Sequence, residues 1–133
     1  MMSAIYHADG TTPPEGEDWI WVFGSNLGGI HGAGAALVAR KQYGAQFGKG
    51  KGVTGQSYAI PTKDQYLRSL RLETVREHVQ DFVDYTKANP DKRFWVTAVG
   101  CGLAGFHEDE IAPMFEGCGP NCSFPHTWVK QLG

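Results

Sequence analysis

The sequence predicts a layered α/β domain with a mixed, mainly parallel central sheet and flanking helices. Three observations carry this: continuous apolar runs that read as buried strands, helical periodicity between them, and glycine clusters where the strands end. The 133 residues amount to one domain, so residues 1–133 form a single unit in this reading. An apolar fraction of 41% is enough for a packed core and excludes a wholly disordered chain.

Residues 1–6 read as a short edge strand, followed by a polar loop containing Pro13 and Pro14. Trp19, Ile20, Trp21, Val22 and Phe23 form an unbroken apolar run between Asp18 and Gly24, the pattern of a strand covered on both faces. A glycine loop over residues 24–32 leads into an alanine-rich helix over 33–43, which Gly44 stops. A second glycine-rich connection precedes a short strand over 56–60, ending at Pro61. Val75, Val79, Phe82 and Val83 share one face of a helix over 73–89, closed by Asn89-Pro90. Residues 94–99 are the next strand, running into a glycine loop over 100–106. A short helix follows from His107 toward Phe115, with acids in its first turn. The tail has no clear periodicity, with residues 127–132 reading as a final short strand or turn.

Twelve Lys and Arg against fourteen Asp and Glu give a formal charge of −2, so no long-range attraction to nucleic acid or anionic membrane is expected, although a local basic patch remains open. No apolar run approaches the ~20 residues that span a bilayer, and three cysteines cannot complete a disulfide framework. The expectation is a cytoplasmic protein, monomer or dimer, with no membrane partner.

Glycine is the unusual component: 18 residues, roughly twice average usage. In a parallel sheet the loops leaving the carboxyl ends of neighbouring strands gather along one crevice. The loop of Gly24, Ser25, Asn26 and Leu27, with Gly32, Ala33 and Gly34 at the helix entrance, offers backbone amides to an anion. The loop of Gly100, Cys101, Gly102, Leu103, Ala104 and Gly105 can take the other side of a diphosphate, with Phe106 stacking on a base or lining a ribose. The alternative is that both loops are tight turns packed on the sheet.

Side chains also carry two readings each. Asn26 either holds a ligand or bonds its own loop, and His31 either assists proton transfer or is an exposed histidine without function. Cys101 is either a nucleophile or a small packing residue. Lys63, delivered from a strand end by Ile60-Pro61-Thr62, is either an amine nucleophile oriented by Asp64 or a surface lysine paired with it. Residues 50–55 match G-x-G-x-x-G but precede a strand, so the dinucleotide-binding context is missing. Cys118, Cys122 and His126 have an unorthodox spacing for zinc, and neither metal nor cofactor is expected.

Val22-Phe23-Gly24-Ser25-Asn26-Leu27 with Gly29, Gly32 and Ala33-Gly34-Ala35 resembles the first ligand loop of the macro domain family. Val99-Gly100-Cys101-Gly102-Leu103-Ala104-Gly105-Phe106 resembles its second, diphosphate-embracing loop. The resemblance runs in order from about residue 19 to 115 and extends to small macro-like proteins of bacteria and phages. It implies a macro-domain-like fold and an ADP-ribose-like ligand bound by the loop residues named above, free or attached to protein or nucleic acid. Ile60-Pro61-Thr62-Lys63 resembles the Ile-Thr-Lys-like setting of lysine-type terminal ADP-ribose glycohydrolases, which implies hydrolysis of an ADP-ribosyl linkage through Lys63. That branch places its partner aspartate directly after the Gly-Cys-Gly-Leu run, where this chain has Ala104. The alternatives are a non-catalytic ADP-ribose or nucleotide reader and a phage–host interaction protein that kept the fold.

Overall fold

The computed structural model describes residues 5–132. Its centre is a six-stranded sheet in the order β1-β6-β5-β2-β4-β3, formed by β1 (Ile5–His7), β2 (Trp19–Asn26), β3 (Gly52–Thr54), β4 (Ser57–Lys63), β5 (Arg93–Val96) and β6 (Cys122–Pro125). Every pairing is parallel except β3 with β4, so the sheet is mixed and mainly parallel, as expected. The helices are α1 (Gly34–Gln42), α2 (Leu72–Ala88), α3 (Glu108–Ile111) and α4 (Val129–Leu132), the last two adjoining short 3-10 turns.

The long apolar run of β2 is explained by cover on both faces. Trp19, Trp21 and Phe23 point to one side, where they pack with Ala39 of α1 and with Ala59 and Trp95 from the neighbouring strands. Val22 points to the other, into a larger core with Tyr58, Ile60, Phe94 and Val96 and the α2 face of Val75, Val79, Phe82 and Val83. Alternation along the strand is present, but both alternating sets are apolar because helices cover both surfaces. Trp21 also donates from Nε1 to the Ala35 carbonyl at 2.9 Å, fixing the start of α1 on the sheet.

Several boundaries differ from expectation. β4 runs through Pro61 to Lys63, and the β2 register shifts opposite it between Ser25 and Asn26. A proline cannot donate to a ladder, and the bulge absorbs the gap. β5 ends at Val96 because Thr97 turns back, its amide and hydroxyl both donating to the Val22 carbonyl at 3.1 and 2.7 Å. The tail supplies β6, inserted between β1 and β5, and residues 129–132 are helical. Of the expected edge strand over residues 1–6, the part before Ile5 lies outside the described residues.

Candidate functional site

The parallel arrangement brings the loops that follow β2, β4 and β5 to one end of the sheet. Thr62 of β4 sits between the other two: a Cβ built on Gly24 would lie 3.2 Å from the Gly100 amide nitrogen and 3.5 Å from Thr62 Oγ1, and one built on Gly100 would lie 3.5 Å from Thr62 Cγ2. Further along, the Leu27 amide donates to the Lys63 carbonyl at 3.0 Å, and Ser69 Oγ donates to the Ala104 carbonyl at 2.6 Å. The connection before β3 joins the group, with the Gly48 amide donating to the Gly29 carbonyl at 2.9 Å.

The glycines in this assembly do two different jobs. Gly29 and Gly50 are pressed against backbone, of Gly48 and Lys49 in one case and of the Asn26 carbonyl in the other, so a side chain at either would collide with main chain. Gly100 combines a φ of 75° with contact from Phe106 and Ile111. Gly32 and Gly102 differ: a Cβ at either meets nothing within 4 Å, and neither has a left-handed backbone. Nothing inside the chain requires glycine at these two positions.

Backbone donors gather around the open glycines. Among the described residues, the amides of Gly32, Ala33, Gly102, Leu103 and Ala104 have no protein acceptor. The first backbone bond at the start of α1 runs from the Leu37 amide to Ala33, and the helix has neither a side-chain cap nor an acidic residue in its first turn. Free amides at an uncapped helix start form a partial positive charge, the electrostatic arrangement that favours an anion.

Most polar side chains here are committed to holding the loops. Ser25 is buried and its hydroxyl donates to the Gly50 carbonyl. Asn26 braces its own turn, donating to the Ile30 carbonyl at 2.7 Å and accepting from the Ile30 amide at 3.0 Å. Asp64 accepts from the Tyr66 and Arg68 amides at 2.8 and 3.0 Å and pairs with Arg68 Nε at 3.4 Å. Bonds from the Arg68 backbone first, then the other groups of that loop, hold its carboxyl below the ordinary aspartate value. Lys63 ends β4 and lies in register with Asn26, half-buried, while its neighbour Asp64 pairs with Arg68. Phe106 is partly buried against the Gly100 backbone.

His31 is not the exposed residue expected from its glycine neighbours. It is 1% exposed, packed edge-on against Phe23 at 5.3 Å, and burial lowers its pKa. Cys101 is partly buried and its thiol is pushed up to about 11, by burial first and then by Glu108, so it stays protonated at neutral pH and is a poor nucleophile. The hydrogen bond with Cys118 first, and then burial, raises the Cys122 thiol, and among the described residues no group of three or more His, Cys, Asp or Glu is arranged to hold a metal ion.

No protein-family model and no curated protein sequence matches the chain. Solved structures do. The macrodomain of Mycobacterium tuberculosis DarG superposes with a TM-score of 0.62 at 16% identity, over 93% of this chain and 99% of that one. A protein of unknown function from Bacteroides thetaiotaomicron superposes with a TM-score of 0.59 at 19% identity, over 93% and 98% of the two chains. The fold is macrodomain-like: a mixed, mostly parallel sheet between helices.

Proposed function

We propose that this chain binds ADP-ribose or a closely related nucleotide-ribose ligand between the loops that follow β2 and β5. The observation that carries the reading is the pair Gly32 and Gly102, where glycine is needed neither for backbone conformation nor for internal packing, beside amides without acceptors. A diphosphate approaching the backbone from both sides would account for both features. The macrodomain-like fold and the loop residues 22–27 and 99–106 support the same ligand class.

Lys63 is the candidate nucleophile for an ADP-ribosyl linkage. Its neutral amine would add to the anomeric carbon of the distal ribose, displacing the attached group, and water would then release the lysine. Departure of the attached group needs a proton, and the nearby carboxylates are poorly disposed to give one: Asp64 is ionised and engaged by Arg68, and Ala104 has no acid. Loss of such a group typically lowers a rate by ~10² to 10⁴. That favours the second reading, a reader that holds the ligand without cleaving it.

Calorimetric titration with ADP-ribose tests the binding proposal, and Lys63→Ala separates its two forms. In a hydrolase the variant loses turnover and keeps most of its affinity. In a reader the wild-type chain binds ADP-ribose and leaves ADP-ribosylated substrates intact. Absence of saturable heat from the folded wild-type protein rejects both.

A further inference from the structure

The loop after β5 has little of its own to hold it in one shape. Three of the six residues from Gly100 to Gly105 are glycines, two of them left-handed at φ 75° and 82°, and Leu103 is 82% exposed. Glycine has more backbone freedom to lose than any other residue, so such a loop gains most from being fixed from outside. Its internal bonds run from the Cys101 amide to Ala98, the Gly105 amide to Gly102 and the Phe106 amide to Gly100, at 2.9 to 3.1 Å. Among the described residues, one hydrogen bond ties residues 101–105 to anything beyond this stretch: Ser69 Oγ donates to the Ala104 carbonyl at 2.6 Å.

Ser69 reaches that carbonyl from a loop that is itself well fixed. Beyond β4 the Asp64 carboxylate accepts the Tyr66 and Arg68 amides, and the Asp64 amide donates to the Arg68 carbonyl at 2.8 Å. The chain reverses through Leu67 at a φ of 64°, a conformation costly for leucine that persists only where neighbouring bonds impose it. The returning segment pairs antiparallel with the end of β4, Ser69 opposite Lys63, and the Leu70 amide donates to the Thr62 carbonyl at 2.9 Å. Ser69 is thereby anchored to the sheet, and its hydroxyl carries that order across to the loop after β5.

From this arrangement we infer that Ser69 is a positioning residue for the loop after β5: by holding the Ala104 carbonyl it keeps the free amides of Gly102, Leu103 and Ala104 in the orientation an anion meets. The inference rests on the ligand reading above for what the amides bind, and adds a side chain that acts through the backbone and not on the ligand. A loop that samples several shapes binds with an affinity reduced by the fraction of time it is competent, whereas a loop already held in place avoids that loss. Asp64 takes a role of the same kind, bracing the segment that presents Ser69.

Amide hydrogen exchange on the ligand-free chain, paired with calorimetry against ADP-ribose, tests this in the wild type, Ser69→Ala and Ser69→Thr. In Ser69→Ala the Cys101, Gly105 and Phe106 amides should exchange about two- to tenfold faster, the factor one net hydrogen bond represents, while α2 amides keep their protection. ADP-ribose affinity should fall by a similar factor, about two- to tenfold. Ser69→Thr keeps the hydroxyl and should restore both. Ser69 is exposed, so circular dichroism should report an unchanged fold. Asp64→Ala should loosen the same amides, and adding Ser69→Ala to it should do little more, because both act through one contact. The two readings fail separately: a wild-type chain that binds no ADP-ribose removes the ligand reading, and the exchange data alone then decide whether Ser69 holds the loop. Unchanged exchange at Cys101, Gly105 and Phe106 in Ser69→Ala overturns the inference, as does undiminished ADP-ribose affinity in that variant, or a Ser69→Thr chain that behaves like Ser69→Ala.

Discussion

At the residue scale the main distinction is between glycines that pack and glycines that leave space. Gly50→Ala forces a Cβ into the Asn26 carbonyl and should destabilise the chain by about 1 to 3 kcal/mol or more, read as a lower urea midpoint. Gly32→Ala and Gly102→Ala meet no neighbour, so their urea midpoints should stay close to wild type while ADP-ribose affinity drops at least tenfold, about 1.4 kcal/mol. The sequence marks both loops as unusual but cannot separate these roles, because each depends on which backbone lies opposite after folding. The same holds for Ser25 and Asp64. Their bonds to Gly50 and Arg68 belong to a tertiary arrangement of loops that spacing along the chain does not encode.

At the element scale, legibility follows burial. β2 and α2 were readable because each carries a long apolar signal, an unbroken run in one and a helical face in the other. β6 was not: Cys122-Ser123-Phe124-Pro125 is short, fully buried and shows no alternation, so nothing local distinguishes it from a loop. β3 is three residues long and owes its state to pairing with β4. The start of α1 depends on the Trp21 bond to the Ala35 carbonyl. Trp21→Phe removes it and should cost about 0.5 to 1.5 kcal/mol for the hydrogen bond alone, again measured by urea unfolding. Edge strand β1 carries a pH dependence of its own. His7 stacks on Trp95 at 3.9 Å, and its Nδ1 lies 2.7 Å from Ser123 Oγ. Burial pushes its pKa from 6.5 down to about 4, so the unfolded chain binds the proton more readily. Stability should fall as pH drops from about 6.5 toward 4, and in thermal melts His7→Phe should flatten the decline across that window.

At the scale of the whole molecule, two apolar cores clamp the sheet from opposite faces and leave one end to the loops. The cores come from the strand and helix patterns and are largely legible in sequence. The site end is legible in part, as glycine clusters at strand ends, since parallel strands must deliver those loops to the same edge. The most direct test of the account is a calorimetric titration of ADP-ribose into the wild-type chain and into Gly102→Ala side by side. The account predicts saturable binding to the first and at least tenfold weaker binding to the second at equal folded fraction. No saturable heat with the wild-type chain, or equal affinity in both, would contradict it.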